Sequence, residues 1–172
     1  MSTAVSRPDP SEYAPYYGAY IDQVSGELLA VLSEERKRTL ALLEGIDEQR
    51  ALHRYAEGKW SVKEVAGHII DAERIFAYRA LRFARNDPTP LPGFDQNPYV
   101  LSANFDRIPL AELAAEFACV RQSTLHLFRH FGPEEWDRRG IASEKEISVR
   151  ALGWVIAGHE IHHTRILRAK YL

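Results

Sequence analysis

Cysteine is nearly absent: Cys119 is the only one in 172 residues. An intrachain disulfide is therefore excluded, and any metal must be held without a cysteine cluster. Cys119 falls inside a predicted helix and reads as a buried, inert thiol rather than a nucleophile. An excess of charge of one sign is also missing, with 22 basic against 24 acidic residues. That balance leaves no electrostatic footprint for DNA or RNA, and the mixed run Glu34-Glu35-Arg36-Lys37-Arg38 reads as a solvated helix face. No apolar run reaches membrane-spanning length, and Met1 to Ser11 is polar and proline-containing, without a signal-peptide core. The expectation is a cytoplasmic protein with no membrane and no nucleic-acid partner. Strand-like alternation, βαβ patterning and internal repeats are lacking as well.

What is present is an ordinary globular composition, 45% hydrophobic and 27% charged, in a chain long enough for one buried core and short for two. Residues 1–12 read as a flexible N-terminal tail, and 13–172 as a single domain. Tyr13, Tyr16, Tyr17 and Tyr20 follow the tail and read as rings packed on the end of a bundle. A first amphipathic helix is predicted from about Gln23 to Glu44, ended by Gly45. Ser61 with Glu64 forms a capping box that starts a second helix running to about Asn86. Pro109 opens a third helix to about Phe131, and Ser148 caps a fourth over about Val149 to Lys170. His53, His126 and His130 fall on polar faces and read as solvent-exposed. Between the second and third helices, Asn86 to Ile108 carries Pro88, Pro90, Pro92, Gly93 and Pro98. That stretch reads as a long crossover loop without a regular helix, of the kind that closes over a site. Trp136 leads from a short helical turn into a polar linker. The fold class expected is all-α, a four-helix bundle.

The chemistry concentrates in Gly158-His159-Glu160-Ile161-His162-His163. On a helix, His159 and His163 project from one face one turn apart, a spacing that lets two imidazoles grip one metal ion. The letters also satisfy the zinc-protease pattern H-E-x-x-H, with Glu160 as the base. That reading needs a third ligand, normally downstream, yet the nine residues after His163 contain no His, Asp or Glu. An upstream ligand fits better. His68 lies on the inner stripe of the second helix with Val65, Ala72, Ile75 and Phe76, and bundle metal sites are built from facing helices. Three neutral imidazoles with open positions resemble a catalytic site rather than a closed structural one. Zinc, nickel or ferrous iron all suit such ligands. His162 sits about 100° round the helix from His163 and reads as a pocket or solvent residue. Glu160 is similarly offset, either a proton acceptor supporting the site or a surface glutamate. Asp71, one turn after His68, is placed to orient an imidazole through its other N–H.

Trp60-Ser61, Gly67-His68-Ile69-Ile70-Asp71-Ala72-Glu73-Arg74, Pro92-Gly93-Phe94-Asp95 and Gly158-His159-Glu160-Ile161-His162-His163 occur in that order along the chain. Together they resemble the DinB-like proteins of the DinB/YfiT superfamily, from about Tyr13 to Leu172. The resemblance implies a four-helix bundle holding a divalent metal, zinc or nickel, on His68, His159 and His163. It also implies activity on small molecules, some relatives being thiol-dependent transferases or isomerases and others metal-dependent hydrolases. The leading expectation is a metal-dependent enzyme using a low-molecular-weight thiol, with hydrolysis of small substrates as the alternative. A non-enzymatic stress-response or interaction protein is the rival from another class. A homodimer is compatible with such a bundle.

Overall fold

The computed structural model describes residues 4–172. Its elements run α1 (Gly18–Ile21), α2 (Leu28–Glu44), α3 (Glu48–Ala51), α4 (Val62–Ala84), α5 (Gln96–Ala103), α6 (Leu110–Arg129), α7 (Pro133–Asp137), β1 (Arg139–Ala142), β2 (Lys145–Ser148) and α8 (Val149–Lys170). The four long helices, α2, α4, α6 and α8, form the bundle. α4 packs on both α6 and α8, and so does α2. The helices consecutive along the chain, α2 with α4 and α6 with α8, therefore stand diagonally opposite. The long connection expected between the second and third long helices is present over residues 85–109 and joins packed neighbours, while the other two connections cross the bundle diagonally.

Local chemistry sets the helix starts. Ser61 Oγ accepts from Glu64 N at 3.0 Å while Glu64 Oε2 accepts from Ser61 N at 2.7 Å. That reciprocal box satisfies two of the N–H groups orphaned at the start of α4. Ser148 Oγ likewise accepts from Ala151 N at 2.9 Å to begin α8. The first long helix starts later than its periodicity suggests, because Glu27 caps it through Leu29 N and Ala30 N. Gly26, at φ +111°, breaks the chain just before it.

Three stretches differ from their sequence reading. The proline-rich connection contains α5, begun by Asp95 accepting from Asn97 N at 3.0 Å. Pro98 lies in the first turn of α5, where a missing N–H and a fixed φ cost nothing. The polar linker after Trp136 is an antiparallel hairpin that pairs Gly140 with Ile147 and Ala142 with Lys145. Its two turn residues, Ser143 and Glu144, take φ +53° and +64°. Such a turn favours Asn-Gly, so Ser-Glu carried no hairpin signal. Leu91 then docks on the hairpin, donating to Ile141 O at 2.9 Å and accepting from Ser143 N at 3.1 Å. The stretch expected as a tail over 1–12 is buried at Val5, Pro8 and Glu12 and exposed at its other described residues. Glu12 Oε2 accepts from Ser148 Oγ at 2.7 Å; residues 1–3 of that expectation lie outside the described residues.

The core is divided. One apolar cluster gathers Leu28, Leu32, Phe76, Phe128, Leu152 and Val155, and a second gathers Leu43, Val65, Ile69, Phe117 and Leu167. Each fully buried aliphatic or aromatic side chain contributes roughly 1.5–3 kcal/mol, so both halves are strongly held. Between them runs a polar layer to which every long helix contributes: Thr39, Glu73 and His68, Arg121, and His159 with Glu160, all buried. Cys119, expected inside, is exposed, whereas Arg121 on the same helix is fully buried.

Candidate metal centre

α4 and α8 are packed neighbours, which puts His68 opposite His159 and His163. His159 Nε2 lies 3.0 Å from His68 Nε2 and 3.1 Å from His163 Nε2. One donor atom from each of the three falls within 4.8 Å of the other two. An sp² ring nitrogen carries either one N–H or one lone pair, so His159 Nε2 can complete one of its two contacts as a hydrogen bond but not both. A cation at the centre would resolve this by accepting all three lone pairs. Nitrogens bound at about 2.0–2.1 Å to one ion stand about 3.0–3.4 Å apart, depending on the bond angle. The two separations that meet at His159 Nε2 fit that requirement.

The electrostatics agree. Burial pushes His68 down to about 4. Burial, with smaller repulsion from His68 and His162, pushes His163 down to about 3. His159 is held well below 6.5 by burial and then by His163, His68 and His162. All three rings are therefore neutral at neutral pH, the form that ligates a metal.

Aromatic rings wall the cluster. Trp60 tilts against His68 at 4.9 Å between centroids, and Phe76 meets His159 edge-on at 6.1 Å. Tyr20 meets His159 at 5.4 Å and His162 at 5.3 Å. Tyr20 thus belongs to the site's surroundings and not merely to the bundle end. Two glycines make this possible. A Cβ on Gly158 would overlap the Tyr20 backbone, and one on Gly67 would overlap the Phe105 ring. Each precedes a clustered histidine, so a covering segment can press on the helix beside that ring.

The remaining candidates are placed differently. Glu160 is fully buried and points away from the histidines, so it is no surface residue. Its Oε1 accepts from Thr39 Oγ1 at 2.7 Å, and its Oε2 sits 2.7 Å from Arg121 Nη1. Arg121 Nε and Nη2 each donate to Glu73 at 2.8 Å, and Nη1 donates to Leu32 O at 3.0 Å. Burial raises the Glu160 pKa, with Arg121 opposing. Asp71 orients no imidazole among the described residues; its nearest charge is Arg74 at 3.7 Å. His162 is half-buried outside the cluster, its ring 5.1 Å from His163. His53, His126 and His130 are exposed, as their positions suggest.

The sequence profile of the DinB superfamily matches residues 31–167. The chain belongs to the DinB superfamily. An Oceanobacillus iheyensis protein named "putative metal-dependent hydrolase" is 24% identical over 120 residues, spanning 69% of this chain and 68% of the relative. The fold resembles YfiT from Bacillus subtilis, described as a probable metal-dependent hydrolase with an unusual four-helix bundle topology. The TM-score is 0.71 at 16% identity, over 95% of this chain and 92% of that one. A mycothiol-dependent maleylpyruvate isomerase matches with TM-score 0.67 and 11% identity, over 88% of this chain and 62% of the other. At such identities the likeness is one of fold. Among the described residues no helix is long and apolar enough to cross a membrane.

Proposed function

We propose that this chain is a metal-dependent enzyme of small molecules, with His68, His159 and His163 as ligands of one divalent cation. The observation that carries the reading is the pair of 3.0 and 3.1 Å contacts meeting on His159 Nε2, which hydrogen bonding alone cannot satisfy. Zinc or nickel suits three imidazoles best, and ferrous iron is compatible. When bound, the cation supplies Lewis acidity, lowering the pKa of an S–H or O–H beside it to give a nucleophile at neutral pH.

The chain's own residues do the rest. His68 and His159 are nearly fully enclosed, while His163 is partly exposed and gives onto a cleft of 240 Å³ shared with Trp60 and Asn97. Substrate approaches from the His163 side, and Trp60, Phe76 and Tyr20 keep water from the inner faces of the rings. Glu160, committed to Thr39 and Arg121, serves the bundle and not the chemistry.

Our first reading of the reaction is transfer of a low-molecular-weight thiol to an electrophile, favoured by the structural likeness to a mycothiol-dependent isomerase. Hydrolysis of small substrates is the second, favoured by the name of the Oceanobacillus relative. Metal analysis of untagged protein tests the shared step. Near-stoichiometric metal in the wild type, absent from His159→Ala and His68→Ala, is expected, and metal-free wild type purified without chelators overturns the proposal. Conjugation of thiols to electrophilic substrates by the loaded protein is then expected. Turnover of an ester or amide with no thiol activity reverses the ranking of the two reactions.

A further inference from the structure

The cleft that opens on His163 is lined by Tyr55, Lys59, Trp60, Gln96 and Asn97 among others. Its chemistry is uneven. No Asp or Glu lines it, and Lys59 is exposed and makes no ion pair among the described residues. The cations nearby are engaged elsewhere. Arg54 is held by Glu64 and Asp106, and Lys63 by Glu48. Lys170 sits over the Tyr55 ring at 5.0 Å. One ammonium without an ion pair is therefore left among the lining residues, beside two primary amides able to donate N–H groups. The walls are flat rings, and Trp60 also touches His68, so the cleft is continuous with the histidine cluster. Its 240 Å³ falls below the roughly 300–1,000 Å³ of pockets for drug-sized ligands.

We infer that this cleft binds the carboxylate of a small monoanionic substrate, with Lys59 and the amides of Gln96 and Asn97 as its recognition group. A planar carboxylate accepts from an ammonium and an amide N–H at once, and a single lysine balances a single negative charge. The flat or apolar part of the molecule then lies between Tyr55 and Trp60, with its reactive end toward His163. This names a substrate class for the site proposed above and rests on that reading for its catalytic meaning, but the binding can be measured separately.

The test uses the full chain, metal-loaded and metal-stripped, with sodium benzoate as the probe and benzamide as its neutral counterpart. Binding is followed by calorimetry and by the indole N–H resonance assigned to Trp60 through Trp60→Phe. Benzoate is expected to bind more tightly than benzamide and to shift the Trp60 resonance. Lys59→Ala is expected to weaken benzoate about fivefold, the scale of one solvent-accessible charged contact, without changing benzamide binding or metal content. Lys59→Arg is expected to restore it. Lys59 is exposed, so these variants leave the core intact. Equal binding of benzoate and benzamide, or benzoate binding untouched by Lys59→Ala, overturns the inference. Benzoate binding that vanishes with the metal yet ignores Lys59→Ala also overturns it, since the carboxylate then sits on the metal. Wild type that takes up no metal yet still distinguishes benzoate through Lys59 sinks the metal-site reading alone and leaves the anion cleft standing.

Discussion

Two buried polar clusters share the layer between the halves of the core, and they are satisfied in opposite ways. Around Arg121, opposite charges meet: Glu73 takes two N–H groups, Leu32 O takes one, and Glu160 lies 2.7 Å from Arg121 Nη1 while accepting from Thr39. Every long helix supplies a member, and nothing from outside is required. Around His159 three like groups converge, and at least one contact is left without a proton to share. His159 and Glu160 are adjacent in sequence, and the 100° step of the helix sends one to each cluster. The lesson is that burial of polar groups does not by itself mark function. A cluster that closes on itself holds the fold, and one that stays open asks for a ligand.

The largest expected effect comes from breaking the closed cluster. Arg121→Leu leaves Glu73 and Glu160 buried without a counter-charge, and loss of one partner from such a group costs roughly 3–5 kcal/mol. Urea denaturation should show that loss. Replacing Glu73, Arg121 and Glu160 together with leucine should recover most of it, because well-packed apolar side chains can replace a buried ionic group. A cost below about 1 kcal/mol for Arg121→Leu would mean that the network is not the clamp described.

Opening the other cluster should act differently. If the metal is present at a hundred times its Kd, it stabilises the folded state by about 2.7 kcal/mol. For a chain of this size that corresponds to a Tm lowered by about 5–10 °C on adding a chelator. His68→Ala should abolish the chelator response while the metal-free protein keeps its cooperative transition. A chelator response that persists in His68→Ala would place the metal elsewhere.

How much of this was legible in the sequence depended on the range of the interaction. Capping boxes, helix periodicity and the four-residue spacing of His159 and His163 are local, so the bundle and the three clustered histidines could be read directly. The diagonal order of the helices and the identity of Glu160's partners depend on residues 121 and 39, far away along the chain. Arg121 was invisible because a lone arginine in an amphipathic helix reads as surface until two carboxylates are brought to it. The hairpin hid behind a Ser-Glu turn, and α5 behind Pro98, because both sequences satisfy the backbone by less common means. The two Gly-His pairs were a usable signal for segments pressed on α4 and α8.

Gly158 tests whether that pressing matters to the open cluster. Alanine there must push back the Tyr20 backbone, since a Cβ would overlap it. Overpacking of this kind costs roughly 1–3 kcal/mol. Because Tyr20 walls His159, Gly158→Ala should also weaken metal binding, whereas Thr39→Val, which touches only the closed cluster, should lower stability alone. Metal titrations of the two variants against their melting curves make the comparison. Equal metal affinity in both would show that the wall around His159 is passive.

The smallest effect sharpens the contrast at a third buried acid. Burial raises the pKa of Glu12, but Ser148 Oγ, the Asp9 N–H and Arg150 together outweigh it, and the net shift is downward from 4.5. A carboxylate with a depressed folded pKa contributes stability that is present above about pH 4.5 and lost as pH falls through the lower folded value. Glu12 pins the N-terminal segment to the start of α8 and is closed by partners from the chain, like the Arg121 network. Glu12→Gln should therefore flatten the decline of Tm as the pH falls below about 4.5, with metal content at pH 7 unchanged. If the metal were lost instead, closure within the chain would no longer separate the groups that hold this fold from those that serve its site.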